Sequence, residues 1–119
     1  LWWQKDKNMP TIIESRDLPL IRKNGANVAV LANTAMLGIN ALQIERIELE
    51  AAAKTSSFEA SDAERFVYVI RGTGHAHVSE QAFPLNAESV LWFEKADTFF
   101  LEAGADGLQV LLCRAPASE

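Results

Sequence analysis

His75-Ala76-His77, with Glu80 close behind, is the most metal-like arrangement in the chain. Two imidazoles and a carboxylate could begin a divalent-cation site, but these are the only two histidines present, so no third imidazole completes one. On a strand His75 and His77 share one face and Ala76 and Val78 the other, and the pair reads as an exposed or dimer-facing polar surface. Arg65 carries more promise, because a guanidinium projecting among Val67, Val69 and other apolar groups needs a carboxylate or an anionic ligand. Glu59, Glu94 or Glu102 could supply that partner internally. Cys113 is the one cysteine; it cannot form an internal disulfide and reads as a small buried hydrophobe on the last strand, in keeping with a reducing cytoplasm. Glu48 and Glu50 share a strand face and read as a solvated edge. Gly72-Thr73-Gly74 reads as a turn, and neither a phosphate-cradling glycine loop nor a nucleophile-elbow sequence is present.

These groups must be positioned by strands. The 119 residues are 49% apolar and 23% charged, the balance of one globular domain that buries roughly two-thirds of its unfolded surface. A net charge of −5 argues against sequence-independent nucleic-acid binding, which depends on Lys and Arg at phosphates. The first ten residues lack the apolar core of a signal peptide. The apolar stretch Val28 to Leu42 is interrupted by Asn33, Thr34 and Asn40 and is too short to span a bilayer. The spacing predicts strands at Val28 to Leu31, within Ile39 to Leu49, and at Val90 to Phe93, Thr98 to Leu101 and Leu108 to Cys113. Asn33 to Gly38 reads as a turn region, and the five residues EAAAK at Glu50 to Lys54 read as a loop, since they cannot repay helix nucleation. From Phe66 to Ile70 every residue is apolar, the mark of a strand covered on both faces. Gly72 and Gly74 then predict a turn, making Glu64 to Val78 a hairpin. Turn signals every eight to twelve residues with no convincing helix imply a β-sandwich or barrel. The expected organisation is an extension over residues 1–10, in which Met9-Pro10 could mark a natural start and Trp2 and Trp3 could pack on the domain. A single barrel over 11–115 and a frayed tail over 116–119 follow.

The stretch ERFVYVIRGTG from Glu64 to Gly74 resembles the central hairpin of the first cupin motif, and it is also similar to the corresponding strand of ureidoglycine aminohydrolase-like bicupins. In cupins a glycine is followed after five residues by a His-any-His pair, then by a glutamate and a further glycine; the intervals fall here on Ala52, Phe58, Ala60, Arg65 and Gly72. The second motif falls on Ala87, Phe93, Lys95, Thr98 and Glu102. Only Gly72 keeps its family identity, so the resemblance rests on intervals and apolar pattern across about Ile44 to Leu112. It implies an all-β double-stranded β-helix, the jelly-roll barrel of RmlC-like proteins. In that family three imidazoles and a carboxylate hold a divalent metal; here the same places carry Phe58, Ala60, Arg65 and Thr98, which offer hydrocarbon, hydroxyl and a repelling cation. Shifting the register by one residue brings Glu59 and Ser61 into place of the first pair, and Arg65 still replaces the carboxylate.

The expected function is a cupin-like domain with no metal or other cofactor, binding a small polar or anionic molecule inside the barrel. Arg65 and Thr98 contact it, with Glu59 and Ser61 as further polar groups and Phe58, Trp92 and Phe100 shaping the cavity. No catalytic residue is assigned. Two alternatives stand beside it: an enzyme, either metal-free or using unorthodox ligands such as Glu59, Glu64 and a histidine, and a structural or regulatory interaction module. The double-sided strand, with what the family does, implies a homodimer through the outer face of Phe66 to Ile70. No nucleic-acid or membrane partner is expected, and the location expected is the cytoplasm.

Overall fold

The computed structural model describes residues 12–38 and 40–117, so the expectations for Trp2, Trp3, Met9 and Pro10 lie outside the described residues. A 3-10 turn at Ser15–Asp17 leads into β1 (Ile21–Lys23) and β2 (Ala26–Ala32). A one-turn helix α1 (Thr34–Leu37) precedes β3 (Gln43–Leu49), β4 (Glu64–Val78), β5 (Gln81–Leu85), β6 (Val90–Phe93) and β7 (Phe99–Ala115). All pairings are antiparallel, in the order β1-β2-β3-β7-β4-β5, with β6 added to β4. The chain is an all-β jelly roll.

The two long strands make the barrel. Residues 64–72 of β4 pair with 108–115 of β7 and carry β6 on the other edge, whereas residues 74–78 pair with 99–103 and carry β5. The ladder is irregular at Val69/Arg71 and Gly72/Gly74, and there the two strands bend together from one side of the barrel to the other. This corrects the expected hairpin at Gly72–Gly74 and the expected break at Gly104–Gly107: both are bends inside continuous strands. The glycines are required by close approach. A Cβ at Gly72, whose φ is +90°, would stand 2.2 Å from the Gly107 carbonyl oxygen, and one at Gly74 would stand 2.1 Å from that of Glu102.

Alternation supplies the core. Val67, Val69, Ala76, Leu101 and Val110 are completely buried and pack with Ile47, Leu49, Leu85, Phe93, Phe99 and Leu108. The outer face of β4 differs: Phe66, Tyr68 and Ile70 are half-buried, so the second cover expected for this strand is only partial within one chain. β3 lies between β2 and β7, so Glu48 does not sit on an edge; it accepts from Arg46 Nε at 3.0 Å and from Gln109 Nε2 at 2.9 Å. The residues expected as a turn before β3 contain α1, capped by Asn33 Oδ1 on the Met36 N–H at 2.9 Å. Ala117 is buried, so the chain stays on the body just past β7. Among the described residues, no helix is long and apolar enough to cross a membrane.

Candidate functional site

Arg65 is the largest side chain in the interior, with 1% of its surface exposed. Its place on β4 follows from strand period: Arg65, Val67 and Val69 point inward, and Phe93 and Arg114 flank it across the sheet. Nη1 donates to the Glu59 carbonyl at 2.9 Å, and Nη2 faces the carbonyls of Asp97 at 3.0 Å, Glu94 at 3.3 Å and Lys95 at 3.4 Å. The guanidinium also lies over Phe99, with Cζ 5.2 Å from the ring centroid. Burial lowers its pKa, the neighbouring Arg114 charge adds to the effect and Asp97 opposes it. Arg65 Nε is buried without an acceptor, and both terminal nitrogens are engaged by main chain.

Beside the guanidinium, three phenyl rings are stacked. Phe93 and Phe99 lie 3.7 Å apart between centroids at 8°, and Phe58 stacks on Phe99 at 4.9 Å and 20°. Phe58 is held there by paired main-chain hydrogen bonds with Phe99. Hydrocarbon and guanidinium therefore fill the part of the barrel where the family's spacing would put metal ligands. The side chains present do not fit a metal: phenyl rings have no lone pair to offer, and the cationic centre of Arg65 repels a second cation.

The other expected site residues are scattered. Thr98 is exposed; the alternation of β7 turns Phe99 inward, so Thr98 instead lines an outer groove of about 500 Å³ with Ser57, His77, Glu80 and Phe100. Phe100 is half-buried on the same outer face, its ring stacked 4.5 Å from that of His77. Trp92 is 57% exposed and stacks on Phe66 at 4.9 Å outside the barrel. Glu59 gives only its carbonyl to Arg65 and its side chain is exposed. Ser61 Oγ accepts from the Ala63 N–H at 3.0 Å. Of the expected set, Phe58 and Arg65 both lie against the Phe99 ring.

His75 and His77 face outward, as expected, with Ala76 buried behind them. His77 Nε2 lies 2.7 Å from Glu102 Oε1. Glu64 is turned outward to Trp92 Nε1 at 3.1 Å, so Glu59, Glu64 and a histidine do not converge. Among the described residues, no three His, Cys, Asp or Glu side chains group to hold a metal.

A cavity of about 360 Å³ opens between β5, β6 and the end of β4, lined by Val78, Phe83, Leu91, Phe93 and the expected site residue Trp92, with Ser79, Gln81 and Asp97 at its polar positions. Its floor ring, Phe93, belongs to the phenyl stack over which Arg65 sits. Asp97 is fixed by accepting the Glu94 N–H on Oδ2 at 2.8 Å. Sequence reasoning missed this site because β5 was not foreseen. Pro84 masks the strand, yet β5 is an edge, where a missing N–H is tolerated. The turn before it is made by Ser79 and Glu80, both at positive φ, without the glycine or asparagine that signals such turns.

No protein-family model matches the sequence, and no curated protein matches it. Solved structures do. The chain is similar to a predicted oxalate decarboxylase from Thermotoga maritima, with a TM-score of 0.78 and 15% identity over 88% of this chain and 98% of that one. It is similar to an RmlC-like cupin from Shewanella frigidimarina, at 0.76 and 14% over 100% and 97%, and to ectoine synthase from P. lautus, at 0.75 and 15% over 90% and 78%. With the bent β4–β7 pair, these likenesses establish that the chain has the fold of the cupin superfamily.

Proposed function

We propose that this domain binds a small molecule with an apolar body and a polar group in the β5–β6 cavity, with no metal at the barrel centre. The observation that carries the reading is the filled interior: Arg65 and the Phe58–Phe99–Phe93 stack occupy the inside of the barrel next to the β6–β7 turn, and the β5–β6 cavity reaches that stack at Phe93. Apolar Leu91 and Phe93 beside Ser79, Gln81 and Asp97 give a mixed lining that suits a molecule with both an apolar and a polar part. Asp97 is the one charged residue in the lining, and Nη1 and Nη2 of Arg65 are already engaged. The anionic ligand anticipated from Arg65 is therefore replaced in this reading by a neutral or cationic donor. Titrating labelled protein with benzyl alcohol, benzylamine and benzoate tests this. Chemical-shift changes clustered at Gln81, Phe83, Leu91 and Asp97, weakest for benzoate, are expected; preferential benzoate binding near Arg65 would contradict it.

A second reading, an interaction module, is supported by the outer face of β4. Phe66, Tyr68 and Ile70 adjoin Val90, at 58% exposure, and Trp92, at 57%, and an apolar groove of about 210 Å³ runs past Leu42, Ile44, Phe66, Trp92 and Cys113. We infer that a second copy of the chain covers this face. The two readings share Trp92, which borders both the cavity and the outer groove.

A further inference from the structure

The carbonyl oxygens of Glu59, Glu94, Lys95 and Asp97 come from two separate segments and converge on one buried point beside the face of Phe99. The Glu94 and Lys95 carbonyls also accept the main-chain N–H groups of Asp97 and Ser61, at 3.0 and 2.9 Å, so the shorter contacts to Glu59 and Asp97 are the ones that call for the cationic donor. A planar fork suits the arrangement. Nη1 serves the segment at Glu59 and Nη2 the turn Glu94–Asp97, with the Phe99 ring centroid 5.2 Å from Cζ. From this geometry we propose that the cradle is a guanidinium-specific binding site, occupied in cis by Arg65, whose side chain ties the segment after Phe58 to the turn between β6 and β7. The proposal is independent of what the β5–β6 cavity binds.

It has a chemical consequence. When the side chain is cut back, the carbonyls and the ring remain, and a free small guanidinium can take the vacated place. An ammonium presents three tetrahedral donors and cannot reproduce the fork, and urea has the shape but lacks the charge.

The test is rescue of Arg65→Ala, followed by thermal unfolding in methylguanidinium chloride, methylammonium chloride, urea or sodium chloride at matched concentrations. The expected result is an unfolding midpoint that climbs with the logarithm of methylguanidinium concentration once the site fills. The other solutes produce no such climb, and neither does methylguanidinium on the parent protein. A folded Arg65→Ala protein that does not distinguish methylguanidinium from methylammonium overturns the proposal. Should the variant not fold, nitrogen-15 spectra of arginine side chains in the parent protein decide the matter. Separate, slowly exchanging Nη signals for Arg65 support the cradle, and averaged signals like those of exposed Arg22 and Arg71 overturn it.

Discussion

Arg65 and Phe99 are buried in the interior, whereas Thr98, one position before Phe99, is exposed. Arg65→Met keeps most of the volume but leaves the Glu59 and Asp97 carbonyls without their donors, so stability should fall by about 3 kcal/mol. Phe99→Ala removes the middle ring of the stack and should cost about 3–5 kcal/mol. Thr98→Ala should change stability by less than about 0.5 kcal/mol. Urea unfolding of the three variants checks the ranking, and an equal effect of Thr98→Ala and Phe99→Ala would place the wrong residue inside. At this scale the sequence was half legible. Arg65 and Phe58 could be located from the intervals of the first motif. The second motif failed by one residue, and because strands alternate, a slip of one exchanges inside for outside. The carbonyl partners of Arg65 were invisible, since main-chain acceptors have no residue-type signature; only carboxylates were foreseen.

Among the elements, the bent pair β4 and β7 decides the architecture, and its bends rest on glycine. Gly72→Ala forces a Cβ to within 2.2 Å of the Gly107 carbonyl oxygen and holds alanine at a φ of +90°, so a loss of about 3 kcal/mol is expected. Gly38→Ala, at a φ of +75° with nothing within 4 Å, should cost only about 1 kcal/mol. Thermal unfolding of the pair separates steric closeness from backbone preference, and equal losses would show that the crossing at Gly72 is looser than described. Glycine pairs such as Gly72 and Gly74 signal an interrupted ladder, and the sequence alone does not separate a chain reversal from a bend within one strand. The strand interiors were legible for a plain reason: Phe66 to Ile70 is an unbroken apolar run, and Leu101 and Val110 lie in apolar stretches of their own. β5 was not, because Pro84 breaks the pattern that β-propensity relies on.

At the scale of the whole molecule, the exposed apolar face around Phe66, Tyr68, Val90 and Trp92 predicts association. Phe66→Glu and Trp92→Glu should each convert a dimer to monomers by light scattering, and an unchanged mass would remove the face from the account. Cys113 borders the same groove, and burial pushes its thiol pKa above the ordinary value. The folded state therefore holds this proton more tightly than the unfolded one. The linked stability is intact below the unfolded thiol pKa and declines as pH rises toward the folded value. Maleimide labelling of Cys113 should accordingly be slow in the parent and faster in Phe66→Glu.

Replacement of a metal site by a guanidinium and stacked phenyl rings is the claim on which the functional reading turns. Crystals grown in millimolar manganese, with diffraction recorded to bring out the manganese anomalous signal, address it directly. The account predicts continuous Arg65 density reaching the Glu59 and Asp97 carbonyls with no anomalous peak inside the barrel. A peak at its centre bound by protein nitrogen or oxygen, with Arg65 displaced, would contradict it.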